Sequence, residues 1–331
     1  MTSRLRARLP RVIALAALAI LPWLGTSAVA QAWPAKPVRI VFPYSAGGPV
    51  DVLLRALAMR MSETMGQQFV VENRPGANEI ISAEAVARAA PDGYTLLFAS
   101  DAVFSLNSHL YSKLPYDANK DFAPIARVIN AYLMLVGRTD LPPKDLKELF
   151  AYIKANNGKV SYGSVGLGSV NHLSMSWLAN QQGLEMIHVP FKGVGPMVQE
   201  IAANRLDLAF AVVGGALPFL KANQVKAYAV SAPTRMAVIP NVPTFTELGY
   251  PSLNASFYFA LAAPAGTSPE IISRVAAEAG KIVTQTEFRE KYVDTLGFVP
   301  VAETPAQFAE FLKRDRESAA QRVKVSGAKL D

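Results

Sequence analysis

The sequence predicts an α/β protein of two lobes, each built on a doubly wound, mainly parallel sheet. The chain has 331 residues, enough for about two domains on a prior of ~150 residues each. Hydrophobic residues make up 51% of it and charged residues 18%, so a large core can form. Short apolar stretches with strand character also alternate with stretches of helical periodicity.

The first part of the chain alternates strand and helix. Residues 38–42 are a β-branched and aromatic run after Pro37, which predicts a strand, and residues 51–65 repeat apolar side chains at helical spacing. A strand at 69–71, a helix at 82–89 and a strand at 95–99 complete a β-α-β-α-β order. This order is typical of a parallel, doubly wound sheet.

The alternation continues to the C-terminal part, which is mostly helical. Strands are predicted at 132–136, 160–163, 187–189, 208–212 and 227–230, and helices at 142–156, 170–181 and 196–204. Two later helix starts are predicted by Ser268-Pro269-Glu270 and by the capping-box pattern Thr304-Pro305-Ala306-Gln307. Two lobes without a linker imply crossovers, which we expect near residues 130–131 and 254–255.

Residues 1–30 have the three-part pattern of a secretory signal peptide. Four arginines precede an apolar run at 12–24, and Ala28-Val29-Ala30 supplies an A-x-A cleavage pattern. The alternative is an uncleaved anchor helix, but the run is shorter than the ~20 residues of a membrane span. Cleavage lowers the formal charge from +7 to +3 by removing four arginines and no acid. With no basic run interleaved with aromatics, nucleic acid is not an expected partner.

Composition and motifs exclude several kinds of chemistry. The chain has no cysteine and three histidines, so we expect no disulfide, no lipid anchor through cysteine and no metal site. No phosphate-binding G-x-x-x-x-G-K-[ST] loop, zinc-protease motif or G-x-S-x-G elbow occurs. Ser164 with His172 or His188 leaves a hydrolase as a minor alternative. We expect no catalytic residues and no cofactor.

Four loops that follow predicted strands are small and rich in glycine or serine. They span residues 43–51, 100–103, 163–169 and 190–196. In open α/β folds, ligands bind where such loops leave the carboxyl ends of the strands. Helix starts there offer N–H groups and partial positive charge, which suit a carboxylate. Each loop alone could be an ordinary turn, Asp51 or Asp101 a helix cap, and His172 a structural histidine.

Short motifs across the whole chain after residue 30 resemble one family. They begin with Trp33-Pro34-Ala35-Lys36-Pro37, the loop at 43–51, Glu72-Asn73-Arg74-Pro75-Gly76-Ala77 and Pro91-Asp92-Gly93-Tyr94. Later motifs are Leu114-Pro115-Tyr116-Asp117, His188-Val189-Pro190-Phe191-Lys192-Gly193, Asn241-Val242-Pro243-Thr244 and Ala263-Pro264-Ala265-Gly266-Thr267. In this order they resemble the Bug family, the solute-binding receptors of tripartite tricarboxylate transporters (TTT).

The resemblance implies a two-lobed periplasmic binding protein of type II-like fold with a ligand cleft between the lobes. Lobe 1 would comprise residues 31–130 and 254–331, and lobe 2 residues 131–253. The implied function is capture of a small carboxylate in the periplasm by hinge closure and delivery to membrane transporter subunits, by a monomer. The alternative is a periplasmic protein that presents its ligand to a sensor kinase.

The resemblance also implies which residues bind the ligand. Backbone N–H groups of Ala46 to Gly48 would meet the carboxylate, and Asp51 would order the loop. The full set carried over is Tyr44, Ala46, Gly47, Gly48, Asp51, Ser100, Asp101, Ser164, Gly168, Ser169, His172, Pro190, Phe191, Lys192 and Gly193.

Three departures from the family pattern bear on the ligand. Asn78-Glu79 stands where the family has Gly-Gly, Asp101 lies in the second loop, and an apolar segment at 211–213 replaces an acid. We hypothesise that Asp101 disfavours a second ligand carboxylate, while Phe104, Phe191 and residues 211–213 favour an aromatic or apolar tail. The ligand would then be a monocarboxylate or carry an amide or amine.

Overall fold

Strands and helices alternate along the molecule. The computed structural model describes residues 33–251 and 256–330. In these ranges the strands are β1 (Val38–Phe42), β2 (Phe69–Asn73), β3 (Thr95–Ser100), β4 (Phe122–Arg138), β5 (Ser161–Ser164), β6 (Ile187–Pro190), β7 (Leu208–Val212), β8 (Val225–Val230), β9 (Ser256–Pro264) and β10 (Phe298–Pro300). The α-helices are α1 (Pro49–Met65), α2 (Ile80–Ala87), α3 (Asn107–Leu110), α4 (Leu146–Ala155), α5 (Val170–Gln182), α6 (Val194–Ala202), α7 (Val213–Lys221), α8 (Pro269–Thr284), α9 (Thr286–Tyr292) and α10 (Pro305–Ser326). The predicted leader at 1–30 and the crossover near 254–255 lie outside the described residues.

The strands form one mixed sheet. Their order is β2-β1-β3-β9-β4-β7-β5-β6, with β10 and β8 also paired to β4. The outer strands of both halves are parallel, as predicted: β1 pairs with β2 and β3, and β5 pairs with β6 and β7. The antiparallel pairs made by β4 and β9 are additional to the prediction. On its first passage between the halves the chain runs along β4 itself and not through a crossover helix.

Strand β4 belongs to both halves of the sheet. Its residues 122–132 pair with β9, and residues 133–138 pair with β7 and β8. The predicted strand at 132–136 is therefore only the second part of a 17-residue strand. The crossover expected near residues 130–131 lies inside β4, so the chain crosses there as an unbroken strand.

The strand register brings the carboxyl ends of both parallel sets to the middle of β4. Ser100, at the end of β3, pairs with Phe259 of β9, which pairs with Ile129 of β4. Val212, at the end of β7, pairs with Leu133 of β4. These two positions on β4 are only about 13 Å apart at ~3.3 Å per residue. The residues that follow β3 and those that follow β7 therefore start near one short stretch of β4.

Helices cover both faces of each half of the sheet. In the first half, α1 and α8 pack on one face, and α2 and α10 on the other. In the second half, α4 and α5 cover one face, and α6 and α7 the other. A smaller apolar cluster joins the halves, with Leu106 and Leu110 against Leu173 of α5 and Val323 of α10. The long helix α10 thus contacts both halves.

The two predicted late helix starts are found, with different capping. Thr304 begins α10 with a capping box: the Gln307 N–H donates to the Thr304 hydroxyl oxygen at 3.3 Å, and the Thr304 N–H donates to the Gln307 side chain at 2.9 Å. Ser268 occupies the N-cap position of α8, but its hydroxyl donates to Glu270 and caps no backbone N–H.

A close backbone contact joins the start of α7 to the turn before β10. A Cβ added at Gly214 would lie 2.0 Å from the carbonyl oxygen of Leu296. The next residue, Gly297, has a left-handed backbone (φ 70°) and faces the Gly214 amide. Only glycine at position 214 allows the second half of the sheet to approach this turn so closely.

Substituting Gly214 should therefore destabilise the protein. We expect Gly214→Ala to lower the free energy of unfolding by about 1–3 kcal/mol, because the methyl group meets backbone and not a flexible side chain. The matched control is Gly195→Ala in α6, where nothing lies within 4 Å of the added Cβ; it should be neutral or stabilising by up to ~1 kcal/mol. Urea unfolding measures both. Equal stability of the two variants would contradict the contact.

Candidate ligand-binding site

The first loop is ordered by the buried carboxylate of Asp51. Its Oδ2 accepts hydrogen bonds from the Gly47 N–H and from Arg55 Nε, both at 2.9 Å. Its Oδ1 accepts one from Asn73 Nδ2 at 2.9 Å, and the same amide group donates to the Tyr44 carbonyl at 2.8 Å. Asp51 therefore holds both ends of the loop and the end of β2.

Charge and hydrogen bonding keep Asp51 ionised in this role. Burial by itself would raise the pKa of Asp51, but hydrogen bonds from Arg55, Asn73 and Gly47 outweigh it and lower the pKa. Asp51 as a whole residue is 2% exposed. It is satisfied by protein donors, which supports the prediction that it orders the loop and does not meet the ligand.

A second carboxylate, that of Glu79, joins the first loop to the end of β3. The Tyr44 hydroxyl donates to Glu79 Oε1 at 2.5 Å, and the Ser100 N–H donates to Oε2 at 3.0 Å. The Ser100 hydroxyl also donates to Oε1. Two predicted site residues, Tyr44 and Ser100, are thus brought together by an acid that the predicted site did not include. The sequence signal for Glu79 was an acid three residues after Gly76, in a turn whose left-handed backbone favours glycine.

Asp101 lies beside Ser100, but its side chain is directed to α10. It is 2% exposed, and its Oδ2 lies 3.9 Å from Arg322 Nη1. Burial raises the pKa of Asp101 to about 8 against the lowering effect of Arg322, and the acids Asp315 and Glu79 add to the rise. Burial thus favours the uncharged form of this carboxyl group. Its burial and its direction toward Arg322 argue against the hypothesis that Asp101 repels a second ligand carboxylate.

Phe104 also has a different role from the one expected. It is buried in the core, stacked on Tyr258 and edge-on to Phe122 and Phe308. The expectation that Phe104 lines an apolar part of the cleft is wrong, because residues far along the chain enclose its ring. Arg316 of α10 fixes this turn by donating to the Phe104 carbonyl at 3.0 Å.

The third loop forms a network around Ser164 at the end of β5. The Gly166 N–H donates to the Ser164 hydroxyl oxygen at 3.0 Å, and that oxygen lies 2.6 Å from His188 Nε2. Ser169 caps α5 by accepting from the His172 N–H, and the Gly168 N–H donates to His172 Nδ1 at 3.4 Å. The ring centroids of His172 and His188 are 4.6 Å apart. This loop is thus a compact polar unit.

The Ser164–His188 contact is not a catalytic triad. In the described residues no carboxylate is hydrogen-bonded to His188, so the ring lacks the acid that orients a general base. Ser164 is itself fully buried. Across the same residues, no group of three or more His, Cys, Asp or Glu side chains could hold a metal ion.

The fourth loop is tied to the third where β5 and β6 end, at the paired residues Ser164 and Pro190. The Phe191 N–H donates to the Ser164 carbonyl at 2.8 Å, which sets residues 191–193 beside the Ser164 network. Gly193 begins α6 without a side-chain cap. Pro190 and Lys192 are exposed, and no hydrogen bond within the described ranges joins Lys192 to this network. Ala46, Gly47 and Gly48 lie in the first loop, where Gly48 begins α1.

A separate cavity lies beside α10. It has a volume of about 520 Å³ and is bordered by residues of β4, β9 and α10, including Arg127 and Arg322, and by residues between Ser231 and Pro251 of the second half. These residues are not on the four predicted loops. No helix of the described residues is both long and apolar enough to cross a membrane.

The fold and the paired loop clusters define a class of protein: two-lobed binding proteins of the periplasmic type. Solved structures of such proteins superpose on this chain. A structure entitled "R. palustris Rpa4515 with adipate" has a TM-score of 0.81 at 29% identity and covers 90% of this chain and 100% of its own. MatC of Rhodopseudomonas palustris with bound malate has a TM-score of 0.76 at 31% identity and covers 88% of this chain and 100% of its own.

Sequence comparison identifies the family. The family model described as tripartite tricarboxylate transporter family receptor matches residues 53–326. The protein BugT of Bordetella pertussis is 33% identical over 302 residues, which cover 91% of this chain and 92% of BugT. The chain belongs to the tripartite tricarboxylate transporter receptor family, and the predicted two-lobed α/β fold is confirmed.

The buried His172 should make stability depend on pH. Burial, together with the neighbouring His188, lowers the pKa of His172 to about 4. The unfolded chain, in which histidine titrates near ~6.5, then binds more protons between these pH values. The free energy of unfolding should therefore fall as the pH drops from ~6.5 to ~4, by up to about 3 kcal/mol from this residue.

The variant His172→Asn isolates this effect, because an Asn oxygen can still accept from the Gly168 N–H. In urea unfolding at several pH values, its stability should fall less steeply below pH ~6.5 than that of the wild type. His109→Asn, which removes an exposed histidine, is the control and should follow the wild type. An unchanged slope in His172→Asn would contradict a neutral, buried His172.

Proposed function

We propose that this chain is a periplasmic receptor that captures a small carboxylate between its lobes and delivers it to a TTT-type membrane transporter. The observation that carries the proposal is that the ends of β3 and β7, one from each half of the sheet, come close to each other at residues 129–133 of β4. The helix starts at Gly48, Ser169 and Gly193 follow other strands of the same two parallel sets. Helix N-termini there offer N–H groups and partial positive charge to an anion. Adipate and malate, which are bound in the two similar structures, are small carboxylates.

The proposed binding surface consists of the predicted loop residues other than those that stabilise the loops themselves. Ala46 and Gly48 would contribute N–H groups at the start of α1, whereas the Gly47 N–H is held by Asp51. Ser169 and Gly193 mark the starts of α5 and α6. Lobe 1 would comprise residues 31–130 and 254–331, and lobe 2 residues 131–253. The change of β4 from pairing with β9 to pairing with β7 and β8 after residue 132 supports this division. Closure would bend the molecule at the shared strands.

The proposal also includes export of the protein and release of the ligand in chemically unchanged form. Residues 1–30 would direct secretion and be removed, which mass spectrometry of the exported protein tests. The ligand would be released unchanged, as nuclear magnetic resonance of the recovered ligand would show. Gene neighbours encoding two membrane transporter subunits would support delivery to a transporter. A neighbouring sensor kinase would favour ligand presentation to that kinase instead.

A thermal-shift screen with matched variants at Gly48 tests the binding site. Gly48 has an ordinary extended backbone (φ −74°), and nothing lies within 4 Å of an added Cβ. Asp and Asn are both favourable N-cap residues, so Gly48→Asp and Gly48→Asn should fold. Only Asp places a negative charge where the ligand carboxylate is proposed to bind.

For the best ligand among citrate, malate, adipate, glutamate, benzoate and nicotinate, we expect Gly48→Asn to bind within about threefold of wild type. Gly48→Asp should bind at least ~10-fold more weakly, because like charges a few ångströms apart cost more than ~1.4 kcal/mol. The protein is unfolded and refolded first, to remove ligand retained from the host. Equal affinities of the Asp and Asn variants would place the carboxylate elsewhere. No stabilisation by any acid would contradict a carboxylate receptor.

A further inference from the structure

We propose that Glu79 is a built-in carboxylate that fills one end of the cleft and restricts the ligand to acids whose distal end is uncharged. This inference rests on the proposed function, since it names the class of ligand for the same site. It replaces the earlier argument from Asp101, whose side chain is directed to Arg322.

The first step is the set of donors that Glu79 uses. A backbone N–H and two hydroxyl groups, from Ser100 and Tyr44, all donate to its two oxygens. Backbone N–H and hydroxyl groups are also the donors that hold a ligand carboxylate in a binding site. Glu79 therefore already satisfies a set of donors that could otherwise bind an anion.

The second step is where these donors lie. Ser100 is the last residue of β3, and Tyr44 is the second residue after β1. Both are at the carboxyl ends of parallel strands, the edge of an open α/β sheet where ligands bind. Tyr44 is 41% exposed although its hydroxyl is bonded inward to Glu79. The Glu79 carboxylate thus lies directly beneath an accessible residue of the first loop.

The third step is that the turn holds Glu79 in this position. Ala77, Asn78 and Glu79 have φ values of 46°, 48° and 72°, a left-handed backbone that favours glycine. The Asn78 side chain donates to Asn107 Oδ1 at 2.7 Å, and Asn107 Nδ2 donates to the Asn78 carbonyl at 2.9 Å. A strained backbone persists where surrounding contacts over-determine it. Glu79 is 4% exposed, so it is a fixed part of the site.

The consequence is a selective cleft. A second ligand carboxylate that approached this end would find the donors already occupied by Glu79. Burial raises the pKa of Glu79 although Ser100 and Tyr44 lower it. Even when protonated, the side chain still occupies the space and the donors. An uncharged distal end does not need these donors.

Isothermal titration with matched acids tests the inference. The pairs are hexanoate with adipate and benzoate with terephthalate, which differ within each pair by one carboxylate. For each protein, the measured quantity is the ratio of the two dissociation constants within a pair. Exported full-length protein is purified from the periplasm and refolded before titration.

We expect the wild type to bind the monocarboxylate of its preferred pair at least ~10-fold more tightly than the dicarboxylate. Glu79→Gly relieves the left-handed backbone and frees the donors, so the ratio should move at least ~10-fold toward the dicarboxylate. Glu79→Asn, which tolerates the same backbone with a shorter side chain, should move it in the same direction. The control Glu84→Gln removes a partly exposed acid, paired with Arg88, from the same region and should leave the ratio unchanged.

The outcomes separate the two proposals. If the acids bind but neither variant at position 79 changes the ratio, the role of Glu79 is wrong and the receptor function stands. A wild type that prefers the dicarboxylate in both pairs likewise overturns the inference. If none of the four acids binds to any of the proteins, the carboxylate receptor and the role of Glu79 are both contradicted.

Discussion

Strand β4 is the constraint on which the rest of the structure depends. It is the one element that hydrogen-bonds with β9 and β10 of one half and with β7 and β8 of the other within the described ranges. Its register therefore decides which loops face each other across the molecule. Irregular pairing between Pro124 and Ala126, between Arg127 and Ile129 and between Leu135 and Val136 flanks its middle section. Such irregularities increase local twist, and they lie on either side of the stretch of β4 where the ends of β3 and β7 come close.

Around this strand, buried polar groups set the shape of the loops. Asp51 closes the first loop, Glu79 ties that loop to β3, and Ser164 organises the third loop with His188. Helix α10 adds a further set of contacts. Tyr258 and Ser105 donate to Asp315 at 3.1 and 2.5 Å, and Arg316 donates to two backbone carbonyls. Most polar side chains of these loops are thus hydrogen-bonded within the protein. The proposed contacts with the ligand therefore come from the N-termini of the helices.

Local periodicity predicted much of this fold. The outer strands and the helices α1, α4 and α5 follow patterns of apolar residues that are visible within ten to fifteen positions. The first part of β4 did not show such a pattern, because Pro124, Asn130 and several alanines interrupt the alternation. Its antiparallel pairing with β9 joins segments that are more than 120 positions apart, and no local signal reports it.

In the candidate site, too, features set by neighbouring residues were predicted, and contacts between distant residues were not. The glycine-rich loops and the role of Asp51 were predicted, since their residues are close in sequence. Asp101 and Phe104 were assigned to the cleft, but Arg322 and Phe308, about 200 residues away, enclose them. Glu79 was visible only as a departure from a family pattern. Its meaning depends on Tyr44 and Ser100, which lie on two other loops.

A crystal structure of the refolded protein with its best-stabilising acid tests the central claim most directly. The account predicts electron density for the acid over the middle of β4, with one carboxylate within hydrogen-bond distance of the backbone N–H groups of Ala46 or Gly48. The same structure should retain the Glu79 contacts to Tyr44 and Ser100. An acid seated instead in the cavity beside α10, on Arg127 or Arg322, would contradict the proposed site.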